Sequence, residues 1–264
     1  MGIKRYVAKR TLQAIGVVYV VATTVFVAVR SVPGDPARLV LGGNAEPDEL
    51  AAVRAELGLD QPIHVQYYRW MADLARGDLG DSIYTGQSVG ASIVNAAEPT
   101  LSIGLVGISI AILVAIPAGI VSATRRDQWE DYVATGVAFL GISMPSFWIG
   151  IVLLLTVGTA IPAIPSFGYA SINEGVVPWL SHVILPAVAV GLPYAGIITR
   201  MTRSSMLEVL SEDYIQTARA KGLPPRLILF KHGLQNALLP VVTVAGILFA
   251  LLLGGIVAVE MVFG

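Results

Sequence analysis

The sequence predicts an all-α integral membrane protein, a polytopic helical bundle, on three observations. Only 13% of its 264 residues are charged and 55% are hydrophobic, whereas a soluble domain carries about 25% charged residues. The apolar residues come in long uncharged blocks, at 11–29, 99–124, 132–173, 175–199 and 233–259. None of these blocks alternates apolar with polar residues, as the strands of a membrane barrel do over about ten positions. Disorder needs the opposite composition. A net charge of −1 argues against a nucleic-acid binder, which must neutralise a row of phosphates. With no cysteine in the chain, disulfides, thiolate metal sites and cysteine nucleophiles drop out.

A membrane helix needs about 20 apolar residues, which places five spans near 11–30, 100–122, 133–158, 180–200 and 237–259. The first begins with Lys4, Arg5, Lys9 and Arg10, like a signal peptide. Its uncharged stretch exceeds a signal core of about 7–15 residues, however, and runs into Arg30 without a small-residue cleavage site; a retained span is expected. The third block is too long for one helix. Gly158, Pro162 and Pro165 are expected to end it, leaving 161–173 as a loop or short re-entrant piece. Pro186 and Pro193 fall inside the fourth span, where neighbouring groups can satisfy the freed carbonyls.

Twelve of the 17 basic residues lie before the first span, at Arg125 and Arg126, or between 200 and 231. The positive-inside rule then puts the amino terminus and the 201–236 loop in the cytoplasm, and 31–98 outside. The organisation expected is a cytoplasmic start with a first span (1–30), an external helical cap (31–98), and a transmembrane domain (99–264) carrying the cytoplasmic loop. Five spans from an inside start leave the carboxyl terminus outside, just after Glu260. The sequence therefore reads as lacking a sixth span.

Within the cap, 46–57 carries acids in its first turn and Gly58 just behind it, a helix with a glycine stop. A second helix is expected at 65–74, with Tyr67, Tyr68 and Trp70. Two readings stand for this segment: a cap that stabilises the bundle, or a docking surface for an external partner. In the cytoplasmic loop, Ser205 and Glu208 match a capping box. A short helix is expected at 212–221, stopped by Gly222, with Pro224-Pro225 turning the chain into a helix that runs on to Leu239. On physical grounds alone this short helix is either an interfacial amphipathic helix or a lever that passes a push from a soluble partner to the spans.

The chemistry of other classes is missing from the pattern. Gly-x-Ser-x-Gly fails at Gly107-Ile108-Ser109 and at Gly141-Ile142-Ser143, and neither His-Glu-x-x-His nor a phosphate loop occurs. His64, His182 and His232 have no metal-ligand spacing, so no catalytic, cofactor or metal residue is expected. An ion-coupled carrier or channel is the main alternative, but the predicted spans hold none of the ionisable groups such carriers keep at depth. Ser143 and Ser146 around Pro145 have two readings: they satisfy carbonyls freed by the proline, or they line a translocation path.

The stretch Asp213-Tyr214-Ile215-Gln216-Thr217-Ala218-Arg219-Ala220-Lys221-Gly222 resembles the cytoplasmic signature of permease subunits in binding-protein-dependent ATP-binding-cassette (ABC) importers. Gln216, Thr217 and Ala218 stand where the general signature has Glu-Ala-Ala, and only Ala218 and Gly222 match it. The Leu-Pro expected downstream is Leu234-Gln235 here, with Leu239-Pro240 further on. These departures are similar to the dipeptide, oligopeptide and nickel branch. So are Val32-Pro33-Gly34-Asp35-Pro36, Leu57-Gly58-Leu59-Asp60-Gln61-Pro62, Arg76-Gly77-Asp78-Leu79-Gly80, Ser143-Met144-Pro145-Ser146-Phe147-Trp148, Leu185-Pro186 and the run from Arg203 to Glu208. The resemblance covers the whole chain in order.

It implies the type I importer fold with six spans, in the cell membrane of a prokaryote, carrying peptides or a related small solute such as nickel. It also implies a second homologous permease, two cytoplasmic ATPase subunits that supply ATP hydrolysis, an external solute-binding protein and surrounding lipid. Tyr214, Gln216, Thr217, Ala218, Arg219, Ala220, Lys221 and Gly222 would form the ATPase-coupling helix, with Arg219 and Lys221 facing the ATPase or lipid headgroups.

Overall fold

The computed structural model describes residues 2–42, 46–82 and 85–264. Among the described residues there are helices and loops but no strand; one isolated antiparallel bridge joins Asp81 and Ser88. The chain divides into two compact units, Met1–Val94 and Asn95–Gly264. The predicted cap, 31–98, includes 43–45 and 83–84, which lie outside the described residues.

In the first unit, α1 (Ile3–Ser31) is a 29-residue apolar helix. A helix that the sequence reading lacked follows at once: α2 (Pro36–Leu41), in which Asp35 caps the Ala37 amide at 3.1 Å and Pro36 occupies the first turn. Acid cap and proline are an N-terminal pair, hidden among turn signals. The two expected cap helices are α3 (Pro47–Glu56) and α4 (Ile63–Ala75). Tyr67 and Trp70 of α4 pack their rings 5.2 and 5.4 Å from Phe26 of α1, and the Tyr67 hydroxyl meets Thr23 Oγ1 at 2.8 Å. Arg54 Nε donates to Asp35 at 2.8 Å, tying α3 to the start of α2.

The second unit is built around one long helix. In chain order it contains α5 (Val89–Thr124, from residue 95 on), α6 (Trp129–Ser143), α7 (Ser146–Leu153) and α8 (Val176–Leu210). After these come α9 (Asp213–Ala220), α10 (Pro225–Leu227), α11 (Gln235–Gly255) and α12 (Val257–Phe263). Leu154–Gly158 and Ile228–Leu234 are π-helical continuations of α7 and α10. The core is aliphatic: Val183 and Ile198 of α8, Leu252 of α11, and Ile256 and Val259 are all buried. Lipid offers no hydrophobic drive between helices, so close packing of small residues holds them. A β-carbon on Gly191 of α8 would sit 2.6 Å from the Gly107 carbonyl oxygen of α5. One on Gly196 would run into the Ala138 carbonyl of α6, so α8 touches both neighbours backbone to backbone.

Two expectations need correction, whereas the number of spans agrees with the sequence reading. Among the described residues four helices are long and apolar enough to cross a membrane, and α6 with the Ser146–Gly158 helix, bent by 102°, makes a fifth span if the pair counts as one. The break is Met144-Pro145: Met144 is extended (φ −96°, ψ 131°), as the residue before a proline tends to be. The helices also outrun the predicted spans. Pro99 lies inside α5, and α8 passes Arg200 and Arg203 to Leu210. Consequently Ser205 and Glu208 form no capping box, because Ser205 is a buried residue within α8. The loop at 161–173 stands as expected, with a short 3-10 turn, Ile172–Glu174, at its end.

Candidate functional site

The end of the second unit where α5 and α8 finish is organised around a two-residue turn. Helix α8 stops at Leu210, and the Ser211 hydroxyl donates to the Glu208 carbonyl at 2.7 Å. Glu212 is extended, and α9 starts at Asp213. Asp213 in the first turn and Arg219 in the last both suit the helix dipole. At the far end the Gly222 amide donates to the Arg219 carbonyl (2.9 Å) and the Leu223 amide to that of Ala218 (3.2 Å). These are the paired bonds of a Schellman stop, and Gly222 takes the left-handed φ of +76° that the stop requires.

Only one face of α9 is used for folding. Ile215 and Ala218 are buried against Ile228, with Leu210 and Leu223 beside them. Tyr214, Gln216, Thr217, Arg219, Ala220, Lys221 and Gly222 are exposed. Tyr214 is nevertheless anchored: its hydroxyl donates to the His232 carbonyl (3.2 Å) and accepts from Asn236 Nδ2 (2.9 Å). The helix is thus fixed at both ends and bears a polar outer surface with two basic groups near its end. Beside it lies an open cleft of about 830 Å³, lined by Thr124, Arg126, Leu207, Ser211, Arg219 and Ile228 among others.

An ion pair on a buried carboxylate lies about two helical turns before this turn, and sequence reasoning missed it. Arg203 of α8 donates from Nε and Nη2 to the two carboxylate oxygens of Asp131 in the first turn of α6, at 2.8 and 2.7 Å. Asp131 is only 3% exposed. It also accepts from Ser122 of α5, from the Asp127 amide (3.1 Å) and from Thr135 (3.3 Å). Asp127 has a left-handed φ of 61° in the α5–α6 turn, which an aspartate tolerates better than most side chains. Asp131 adjoins one uncharged block and Arg203 lies four residues past the end of another, so both read as solvated loop residues. A faint signal existed: Asp131 stands one residue before such a block.

At the opposite end a second polar network holds the loop before α8. Trp179 Nε1 donates to Ser102 Oγ (3.1 Å), Ser102 meets the Tyr169 hydroxyl (3.0 Å), and Tyr169 donates to Glu98 (3.2 Å). Glu98 also accepts from Ser171 Oγ at 2.7 Å and from the Ile172 amide at 3.2 Å. The Thr100 hydroxyl donates to Glu260 at 2.7 Å.

The residues at the α6–α7 break, Ser143, Pro145 and Ser146, belong to a different part of the unit from α9. Ser143 Oγ donates to the Phe139 carbonyl at 2.8 Å, whereas the carbonyl that Pro145 leaves without a helical donor is that of Gly141. Among the described residues no group of three or more acids and histidines could hold a metal ion.

Comparison with known proteins shows the family of the chain. The family described as the binding-protein-dependent transport system inner membrane component matches residues 115–264. The amino-terminal domain of such membrane components matches residues 3–103. The chain belongs to this permease family.

It is a multi-pass permease subunit of an ABC importer. A probable peptide ABC transporter permease of Sinorhizobium fredii is 40% identical over 258 residues, spanning 98% of this chain and 82% of the relative. A putative peptide transport system permease of Brucella suis is 41% identical over 257 residues, covering 97% and 82%. A glutathione transport system permease of Salmonella typhi is 41% identical over 258 residues, covering 98% and 82%. The resemblance carried by the α9 stretch and the other motifs therefore holds for the permease as a whole, and the fold is that of the type I permeases.

Proposed function

We propose that this permease passes peptides, or small peptide-like solutes such as glutathione, through the cell membrane of a prokaryote, with its amino terminus in the cytoplasm. The names of the three relatives support the cargo class. A second homologous permease completes the path, and two cytoplasmic ATPase subunits supply the energy. An external solute-binding protein delivers the cargo, and the 31–98 cap is the surface it meets. Residues 1–30 are the cytoplasmic start and first span, 99–264 the transmembrane domain, and 201–236 the coupling loop. Ser143, Pro145 and Ser146 line the path at the broken helix; Ser143 is exposed and Ser146 half-buried, and a non-helical break in lipid is tolerated only against protein or a water-filled cavity.

The observation that carries this reading is α9: a short helix two residues beyond the end of a membrane-crossing helix, folded on one face and polar on the other. Tyr214, Gln216, Thr217, Ala218, Arg219, Ala220, Lys221 and Gly222 form the element that seats in the ATPase. The match to the family of binding-protein-dependent transport components favours this reading over an ion-coupled carrier or channel. The test is copurification of the ATPase subunits with Arg219→Glu. Recovery is expected to fall several-fold while the permease still inserts; equal recovery would mean that Arg219 faces lipid and would defeat the docking reading of α9.

A further inference from the structure

We propose that the Asp131–Arg203 pair is the positioning link through which α8 carries α6 along when α9 is pushed, so that the transporter's bending is confined to Met144-Pro145. This rests on the reading of α9 as the ATPase-docking helix. Helix α8 is unbroken from Val176 to Leu210 in spite of Pro186 and Pro193, and only Ser211 and Glu212 separate it from α9. A displacement of α9 therefore arrives at the last turns of α8, where Arg203 lies.

Arg203 grips Asp131 with two parallel hydrogen bonds of 2.8 and 2.7 Å. The same carboxylate takes donors from Ser122, Thr135 and the Asp127 amide. A planar, two-pronged contact of this kind fixes orientation as well as distance. The end of α5, the start of α6 and the last turns of α8 are thereby joined at one buried carboxylate. Further along, Gly196 of α8 lies against the Ala138 carbonyl, and Gly141 of α6 would bring a β-carbon to 3.0 Å from the Leu192 carbonyl oxygen. Helices locked by a charge pair at one end and backbone contact along their length move as one body. The first place where α6 can yield is Met144-Pro145, where the helical ladder is already interrupted and the next helix departs at 102°.

The chain has no cysteine, so introduced labels have no competitors. Paired spin labels at Tyr132→Cys and Ser204→Cys, both exposed, span the pair. Labels at Tyr132→Cys and Leu155→Cys span the break. In the assembled transporter, nucleotide-free against ATP-trapped, the first distance is expected to shift by less than half a helical turn, about 2–3 Å. The second is expected to shift by more. Separation of Tyr132 from Ser204 by a full turn overturns the proposal.

A second readout uses Arg203→Gln, with uptake measured per ATP hydrolysed. It is expected to drop about tenfold, within the usual range of a coupling free energy, and to recover in part in Arg203→Lys, which keeps the positive charge on the Asp131 carboxylate without the two-pronged geometry. A folded Arg203→Gln protein with the wild-type ratio makes the pair a mere staple and overturns the proposal. Should that variant fail to fold, the label distances in the unaltered pair decide alone. The two readings fail separately. Unchanged ATPase recovery in Arg219→Glu defeats the docking reading whatever the distances, whereas reduced recovery together with Tyr132–Ser204 separation defeats only this one.

Discussion

Gly222 shows how a single backbone angle can matter more than a contact. Its φ is +76° and a β-carbon there would meet no neighbour, so a substitution costs only conformational strain, about 1–2 kcal/mol for a left-handed L-residue. That strain falls on the Schellman stop holding α9. Gly222→Val is expected to leave membrane insertion intact but to lower uptake in proteoliposomes several-fold; unchanged uptake would remove any role for the elbow. Asp35 offers a test of a different sort. The Arg54 guanidinium beside Asp35 holds its carboxyl below the usual carboxylate range, aided by the Ala37 amide. A lowered folded value means that the contact stabilises above the unfolded value, near ~4, and is lost as pH falls through the folded one. Limited proteolysis of 46–57 is expected to quicken below about pH 4, and Arg54→Ala should be cut equally fast above and below that pH. Much of this was open to sequence reading, since Gly222 and the proline pair behind it announce a stop. Asp131 and Arg203 were not, because a single charge beside an apolar block looks the same whether water or another helix awaits it.

At the scale of elements, uncharged blocks revealed which segments are membrane helices but not where they end. Charge near a helix end is no barrier when it finds a buried partner, and so α8 runs on past Arg203 to Leu210. The bend at Met144-Pro145 was half legible: the proline marked a weak point, while the 102° angle depends on packing that one sequence does not display. Glycines inside these helices divide into two kinds that composition cannot separate. Gly196→Val would drive a side chain into the Ala138 carbonyl, and overpacking of this kind costs about 1–3 kcal/mol. Gly136 on α6 has no neighbour near its missing β-carbon, and Gly136→Ala gains about 0.5–1 kcal/mol of helix propensity. Thermal unfolding of the purified protein in detergent should separate the two: a lower Tm for Gly196→Val, and an equal or higher one for Gly136→Ala.

At the scale of the whole second unit, polar chemistry gathers at both ends and leaves an aliphatic middle. One end is the Asp131 cluster; the other is the relay from Trp179 through Ser102 and Tyr169 to Glu98. Glu98→Ala removes the acceptor shared by Ser171 and Ile172. Amide hydrogen exchange is expected to rise across 169–174 while 128–135 keeps its protection; a rise at both ends would mean general loosening. Family membership was legible from motifs in order along the chain. The two polar ends were not, because they join residues as far apart as Glu98 and Ser171, or Asp131 and Arg203.

The length of α8 has a mechanical consequence. At about 1.5 Å per residue its 35 residues make a rod of roughly 50 Å, pinched most tightly near its midpoint, where Gly191 and Gly196 meet their neighbours. On the proposed link such a rod would turn together with α6, to which Arg203 and Gly196 hold it, and a tilt about the midpoint would carry its Arg203 end and its Trp179 end in opposite directions.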